Sequence, residues 1–109
     1  MQDVRFRLGG LERRVTTPLG LALDIEAATG LGIVSLSTQV ARGEARLIHI
    51  ADVLRLALER SGSVYTQDEV LEQIEKYEGI MPAMTAAARV LNGLFYKTPQ
   101  KAGKSSGNG

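Results

Sequence analysis

The residues that could act as acids, bases, nucleophiles or metal ligands are scattered along this 109-residue chain. His49 is the single histidine and cysteine is absent, so a metal site would need ligands that the neighbouring sequence does not supply. Asp24 and Glu26 are two residues apart, and on a helix such a pair points in different directions, which argues against a paired acid and base. Because no other metal ligands accompany His49, we interpret it as a surface residue, or as a satisfied polar residue at the start of a helix.

A row of acids occurs later in the chain, but neither a nucleophile nor a phosphate loop accompanies it. These acids share one predicted helix with Lys76, which is typical of a solvated face; they are Asp68, Glu69, Glu72, Glu75 and Glu78. The segment Gly103-Lys104-Ser105 resembles the end of a phosphate-binding loop, yet no strand precedes it and no helix follows it. The serines have no nucleophile context. The sequence predicts a protein that is not an enzyme and needs no cofactor or metal.

The composition is that of one ordinary globular domain. It is 44% hydrophobic and 23% charged, with a net charge of +1. A dedicated nucleic-acid binder normally carries a basic stripe, so we do not expect a nucleic-acid partner. From the sequence we expect neither a membrane span nor a signal peptide. We expect residues 1–98 to form a single domain and residues 99–109, rich in Lys, Ser and Gly, to form a disordered, flexible tail.

The first element that positions these residues is a predicted β-hairpin. Asp3 to Leu8 and Leu11 to Thr16 alternate apolar and polar residues, and Gly9-Gly10 between them suits a turn whose two central residues have positive φ. We expect the apolar pairs to share a buried face with Phe6 and to pack on the next helix. A two-residue loop sets the register: Leu8 opposite Leu11, Arg7 opposite Glu12, Phe6 opposite Arg13, and Val4 opposite Val15.

The stretch from Thr17 to Gly30 is predicted to be the central helix of the domain. Thr17 suits the N-cap, Pro18 suits the first helical position, and Gly30 suits the left-handed residue after the last turn. An apolar stripe runs along this helix; it consists of Leu21, Ile25 and Ala28, widened by Leu19, Ala22 and Leu23.

Further helices are predicted after Gly30. A short helix over Val34 to Gly43 places Leu36 and Val40 inward. The next ends at Arg60 and Gly62, although Leu47-Ile48-His49 is alternatively a short strand that precedes it. Its apolar face comprises Ile50, Val53, Leu54, Ala57 and Leu58.

The last two helices have recognisable start signals. Thr66 and Glu69 form a capping box, which opens a helix closed by Gly79, with Tyr77 continuing its apolar face. Pro82 opens the final helix, which runs to about Tyr96. The fold class is therefore α+β, with an N-terminal hairpin packed on a bundle of four to five short helices.

The final helix also carries the candidate partner-binding residues. Its small residues permit close packing in the core, which is one interpretation. The other is that its end presents a groove-filling face to another protein. That face would consist of Leu91, Leu94, Phe95 and Tyr96.

Several short segments occur in an order and spacing that carry a resemblance to a known family. They are Val4-Arg-Phe-Arg-Leu-Gly-Gly-Leu-Glu-Arg-Arg-Val15, Leu19-Gly-Leu-Ala-Leu-Asp-Ile-Glu-Ala-Ala-Thr-Gly30, Val40-Ala-Arg-Gly43, Val53-Leu-Arg-Leu-Ala-Leu58, Thr66-Gln-Asp-Glu-Val70 and Leu91-Asn-Gly-Leu-Phe95. Together, over residues 4–96, they resemble the tail assembly chaperone family of phages and gene transfer agents.

The resemblance implies a non-enzymatic factor that is needed to build a phage-like tail and is absent from the finished particle. Members are thought to coat the helical tape measure protein and to recruit tail tube subunits around it. The implied partners are thus the tape measure protein and the tail tube protein, in the cytoplasm of a bacterial host, and homo-oligomer formation stays open. Two alternatives remain. One is a structural tail or head-completion protein kept in the particle; the other is a small helical regulatory or DNA-associated domain, with a helix-turn-helix around Gly62-Ser63.

Overall fold

A computed structural model describes residues 3–96, which begin with the predicted hairpin. Strands β1 (Asp3–Leu8) and β2 (Leu11–Thr16) pair antiparallel. The register is the predicted one at all four pairs, from Leu8 opposite Leu11 to Val4 opposite Val15. Gly9 and Gly10 have φ values of 68° and 76°, which a residue with a Cβ rarely adopts. The predicted tail, residues 99–109, lies outside the described residues.

One face of the hairpin is buried, but not along its whole length. Val4, Phe6, Leu8 and Val15 are buried as predicted. Leu11 is 61% exposed, so its predicted burial is wrong. It lies beside the turn and borders a groove at the surface. The hairpin packs mainly on the last and the third helices, and not on the helix that follows it.

Helix α1 (Leu19–Thr29) starts and faces differently from the prediction. Pro18, in an extended conformation, is its N-cap, and the buried Thr17 instead donates its hydroxyl to the carbonyl of Gly93 at 2.9 Å. The prediction of Thr17 as the cap is therefore wrong, because a tertiary hydrogen bond uses the hydroxyl. Gly30 is the predicted left-handed cap, with φ 74°.

The buried stripe of α1 is narrower than predicted. Leu21, Ala22 and Ile25 are buried, whereas Leu19 and Leu23 are 76% and 62% exposed and Ala28 is exposed. A helix with one buried stripe lies at the side of a domain, so α1 is not its centre.

Helix α3 (Leu47–Arg60) occupies the centre instead. It packs against α1, β2 and both later helices. The predicted apolar face, from Ile50 to Leu58, is buried. The strand alternative for Leu47-Ile48-His49 is wrong, because these residues form the first turn of α3. Before it, α2 (Ile33–Ala41) buries Leu36 and Val40 as predicted.

Helix α4 (Gln67–Gln73) opens with the predicted capping box between Thr66 and Glu69. It then passes into a π turn (Ile74–Glu78), which closes with a 2.7 Å hydrogen bond from the Gly79 amide to the Ile74 carbonyl. A π turn contains one residue more than the α-helical pattern assumes. Tyr77 is consequently turned outward and is 60% exposed, so its prediction as part of the apolar face is wrong.

Helix α5 (Ile80–Phe95) begins two residues before Pro82. Pro82 is tolerated within the first turn, where amides have no partner inside the helix. Its small residues are core residues; they are Ala83, Ala86 and Ala87. The α+β class, with a hairpin followed by five helices in residues 3–96, is confirmed.

Within residues 3–96, no single helix has the length and apolar character to span a membrane. Helices α1 and α2, bent by 80° at their junction, meet these criteria only when taken together.

Candidate partner-binding surface

The structure separates the four residues predicted at the end of α5. Leu91 is 1% exposed and belongs to the core, so in this fold it offers no surface to a partner. Leu94 is half-buried against the core. Phe95 and Tyr96 are 39% and 72% exposed, with ring centroids 6.3 Å apart. Two adjacent aromatic rings thus remain accessible, and the predicted four-residue face does not form.

A more strongly exposed apolar surface lies at the opposite end of α5. We call residues 77–81 the corner, since the chain turns there from the π turn into α5. Tyr77, Ile80 and Met81 are 60%, 55% and 68% exposed. This surface was not predicted from the sequence. The available signal was the pair Ile80-Met81 between Gly79 and Pro82, where two large apolar residues adjoin a helix start.

The corner is held in place by the hairpin turn. The two carboxylate oxygens of Glu78 accept hydrogen bonds from the Gly9 and Gly10 amides, at 2.9 and 2.8 Å. Hydrogen bonds to a charged acceptor are stronger than neutral ones. Gly79, with φ 85°, then reverses the chain direction into α5. The exposed side chains therefore sit on a backbone that is fixed on both sides.

A groove of about 650 Å³ adjoins the corner on the hairpin side; we call it the hairpin groove. Phe6 and Ala86 are its buried apolar residues, and Tyr77 and Met81 are its exposed ones. Arg7 and Arg89 also line it. The guanidinium of Arg7 donates to the Gly10 carbonyl at 2.6 Å, and that of Arg89 donates to the Arg5 carbonyl at 3.1 Å.

A second groove, of about 510 Å³, lies on the other side of the corner between α3, α4 and α5; we call it the helix groove. Its apolar lining comprises Leu47, Leu71, Ile74 and Ile80, and Glu75 is the charged residue in it. Leu47 is 36% exposed. The corner thus contributes exposed apolar side chains to two adjoining grooves, which can receive apolar side chains from a partner.

The titratable residues singled out from the sequence have mainly structural contacts. Asp24 pairs with Arg60 at 2.9 Å, and Glu26 accepts from the Ile33 amide at the start of α2. His49 is half-buried, and its buried Nδ1 has no hydrogen-bond partner among residues 3–96, so its interpretation as satisfied fails at that atom. No group of three or more Asp, Glu, His or Cys residues that could hold a metal occurs in the described part.

The row of acids on α4 and the π turn is only partly a solvated face. Glu69 completes the capping box, and Glu78 binds the hairpin turn. Asp68, Glu72 and Glu75 are exposed, in agreement with the prediction. Glu69 thus caps α4 and Glu78 makes a tertiary contact, whereas the remaining three acids give α4 and the π turn a negative surface.

Comparison with known proteins identifies a relationship that covers nearly the whole chain. A protein-family model described as "Phage tail tube protein, GTA-gp10" matches residues 2–97. These residues include every helix and strand of the described fold, as well as the corner and both grooves. No curated protein and no solved structure matches the chain.

Proposed function

The chain belongs to the family of phage tail tube proteins described as GTA-gp10. From the exposed apolar surface at the corner, together with the order of its sequence segments, we propose that it acts as a tail assembly chaperone. In this role it is not an enzyme; it binds the tape measure protein and promotes assembly of the tail tube around it. Family membership makes the chain a phage or gene-transfer-agent tail protein. The chaperone role is more specific than family membership, and the proposal of this role depends on the exposed apolar side chains of the corner.

The corner is the observation that supports this role. Three large apolar side chains are exposed within five residues, on a backbone fixed by Glu78 and Gly79. An exposed apolar patch on a small domain is typical of a protein-binding site. An amphipathic helix binds such a surface through apolar residues spaced three and four apart, and the two flanking grooves provide places for those residues.

The charges around the corner suit reversible binding. Among residues 3–96, Arg7 and Arg89 donate only to backbone carbonyls, which leaves their positive charges without an anionic partner. Covering the hairpin groove would therefore cost desolvation energy and lower the affinity. The desolvation and ordering costs of association reduce what the apolar contact contributes, which gives a moderate affinity. Such affinity lets the chaperone shield the client in the host cytoplasm and then be displaced by tail tube subunits.

A structural role in the finished tail is the second candidate, and the family description itself favours it, because that description names a tail tube protein. The two roles predict different fates for the chain. A chaperone leaves the assembly before the particle is complete, whereas a structural subunit is retained in a fixed number of copies. The DNA-associated alternative gains no support, because phosphates would repel the exposed Asp68 and Glu72 of α4.

The direct experiment is co-expression with the tape measure protein from the same tail gene cluster. We expect a tape measure protein that is insoluble alone to become soluble and to co-purify with the chain. Purified particles, analysed by quantitative mass spectrometry, should then lack the chain. Its presence in particles at a fixed ratio to the tail tube protein, with no effect on tape measure solubility, would establish the structural role instead.

A further inference from the structure

Strand β2 has an open edge. The sheet in residues 3–96 contains only β1 and β2, so each strand has one side without a strand partner. In a hairpin with a two-residue loop, Leu8 and Leu11 form a hydrogen-bonded pair and the pairs alternate from there. The backbone N–H and C=O groups of Glu12 and Arg14 therefore point away from β1. Within the described part of the chain, no hydrogen bond reaches them.

The edge of β1 differs, because α5 packs beside it. Arg89 of α5 donates a hydrogen bond to the Arg5 carbonyl, which is one of the outward groups of β1. Pairing with a further strand is thus hindered there. The side chains of Glu12 and Arg14 are exposed, so the β2 edge is the accessible one. Open edges of this kind readily pair with another chain.

We propose that two copies of this chain associate through their β2 edges, which pair antiparallel about a two-fold axis at Arg13. In this register Glu12 of each copy lies opposite Arg14 of the other, so two oppositely charged pairs form on the exposed face. A four-stranded sheet results, which is more stable than an isolated hairpin.

Charge complementarity selects this register over its neighbours. A shift by two residues places Arg14 opposite Arg14, or Glu12 opposite Glu12, and like charges directly opposite are unfavourable. A shift by one residue pairs the exposed face of one copy with the buried face of the other. Only the register centred on Arg13 pairs opposite charges on both sides of the axis.

The residues on the other face are compatible with this pairing. Leu11, which is 61% exposed in the single chain, lies opposite Val15 of the second copy and gains an apolar neighbour. Arg13 lies opposite Arg13 of the second copy. Its guanidinium is already directed into its own domain, where it donates to the Leu8 carbonyl and the Tyr65 hydroxyl, each at 3.0 Å. This pairing goes beyond the chaperone proposal and does not depend on it.

Sedimentation equilibrium of the full chain over a range of concentrations tests the proposal. We expect a dimer whose population rises with concentration. Arg14→Glu places like charges at both pairs and should weaken dimerisation about tenfold or more. The double variant Glu12→Arg/Arg14→Glu exchanges the charges and should restore the dimer. Arg42→Glu, at the exposed end of α2, changes the net charge equally and should leave dimerisation unaltered.

Hydrogen exchange of the backbone amides tests pairing at the β2 edge independently. In the dimer, the Glu12 and Arg14 amides should exchange slowly, and in Arg14→Glu they should exchange rapidly while core amides remain protected. A wild-type chain that stays monomeric at every concentration would overturn the proposal. An unchanged dimer in Arg14→Glu would overturn the interface, and failure of the double variant to restore it would overturn the register.

Discussion

Glu78 is the residue on which the position of the corner depends most directly. Its carboxylate binds two amides of the hairpin turn, 68 and 69 residues away in sequence. Glu75 lies on the same π turn, is exposed and makes no such contact. The two glutamates therefore form a matched pair for testing whether the Glu78 carboxylate stabilises the hairpin turn.

We expect Glu78→Ala to lower the free energy of unfolding by about 1–2 kcal/mol, because the two turn amides lose a charged acceptor that is only partly buried. Glu75→Ala should change it by less than about 0.5 kcal/mol. Urea denaturation followed by circular dichroism measures both values. Equal effects of the two substitutions would show that the carboxylate does not hold the turn.

Phe6 and Leu11 test which part of the hairpin face is buried. Phe6 is 2% exposed and Leu11 is 61% exposed, although both were predicted to share one buried face. Phe6→Asp should destabilise the domain by about 4 kcal/mol or more, since it removes a buried ring and buries an unpaired carboxylate. Leu11→Asp should cost less than about 1 kcal/mol. Thermal denaturation measures the difference in stability between the two variants, and similar melting temperatures would contradict the described packing.

At the scale of elements, the close approach of α5 to the hairpin depends on a glycine. A Cβ at Gly93 would lie 2.8 Å from Val4 Cγ2 and 2.9 Å from Thr17 Oγ1. Both neighbours are buried and cannot move away easily. At Gly20 in α1, the three atoms nearest to a Cβ would all belong to the guanidinium of Arg60, the nearest at 2.7 Å. This group is the exposed end of a long side chain, which can move away.

Gly93→Ala should therefore destabilise the domain by about 1–3 kcal/mol through overpacking. Gly20→Ala should be neutral, or stabilising by up to about 1 kcal/mol, because alanine favours the helix and only an exposed ion pair is disturbed. Chemical denaturation of both variants provides the comparison. Stabilisation by Gly93→Ala would mean that α5 and the hairpin are farther apart than described.

The elements that sequence predicts well are those with local causes. The Gly9-Gly10 loop sets the hairpin register, and Thr66 with Glu69 sets the start of α4, because in both cases the determining residues are neighbours in the chain. Thr17 and Tyr77 were assigned wrongly because distant residues decide them. The Thr17 hydroxyl binds Gly93, and Tyr77 is turned outward by a π turn whose last residue binds the hairpin.

At the scale of the whole molecule, the candidate site was also predicted poorly where contacts between distant residues decide it. The sequence indicates a tail-related protein through the order of its segments, and the family match over residues 2–97 confirms that level of description. The surface was harder to predict, because exposure depends on how α4, α5 and the hairpin meet. Leu91 was named as a candidate partner-binding residue, with core packing as the other interpretation, and it is buried. Ile80 and Met81 were not singled out and are exposed.

The soluble fraction of the tape measure protein, on co-expression with two matched variants of the chain, tests whether the corner binds that protein. Ile80→Glu/Met81→Glu charges the corner, and Leu19→Glu/Leu23→Glu charges an equally exposed apolar pair on α1. We predict that the wild type and the α1 variant keep the tape measure protein soluble and that the corner variant, though folded, does not. Equal solubility with the corner variant and the wild type, or equal loss with both variants, would show that the corner is not the binding surface.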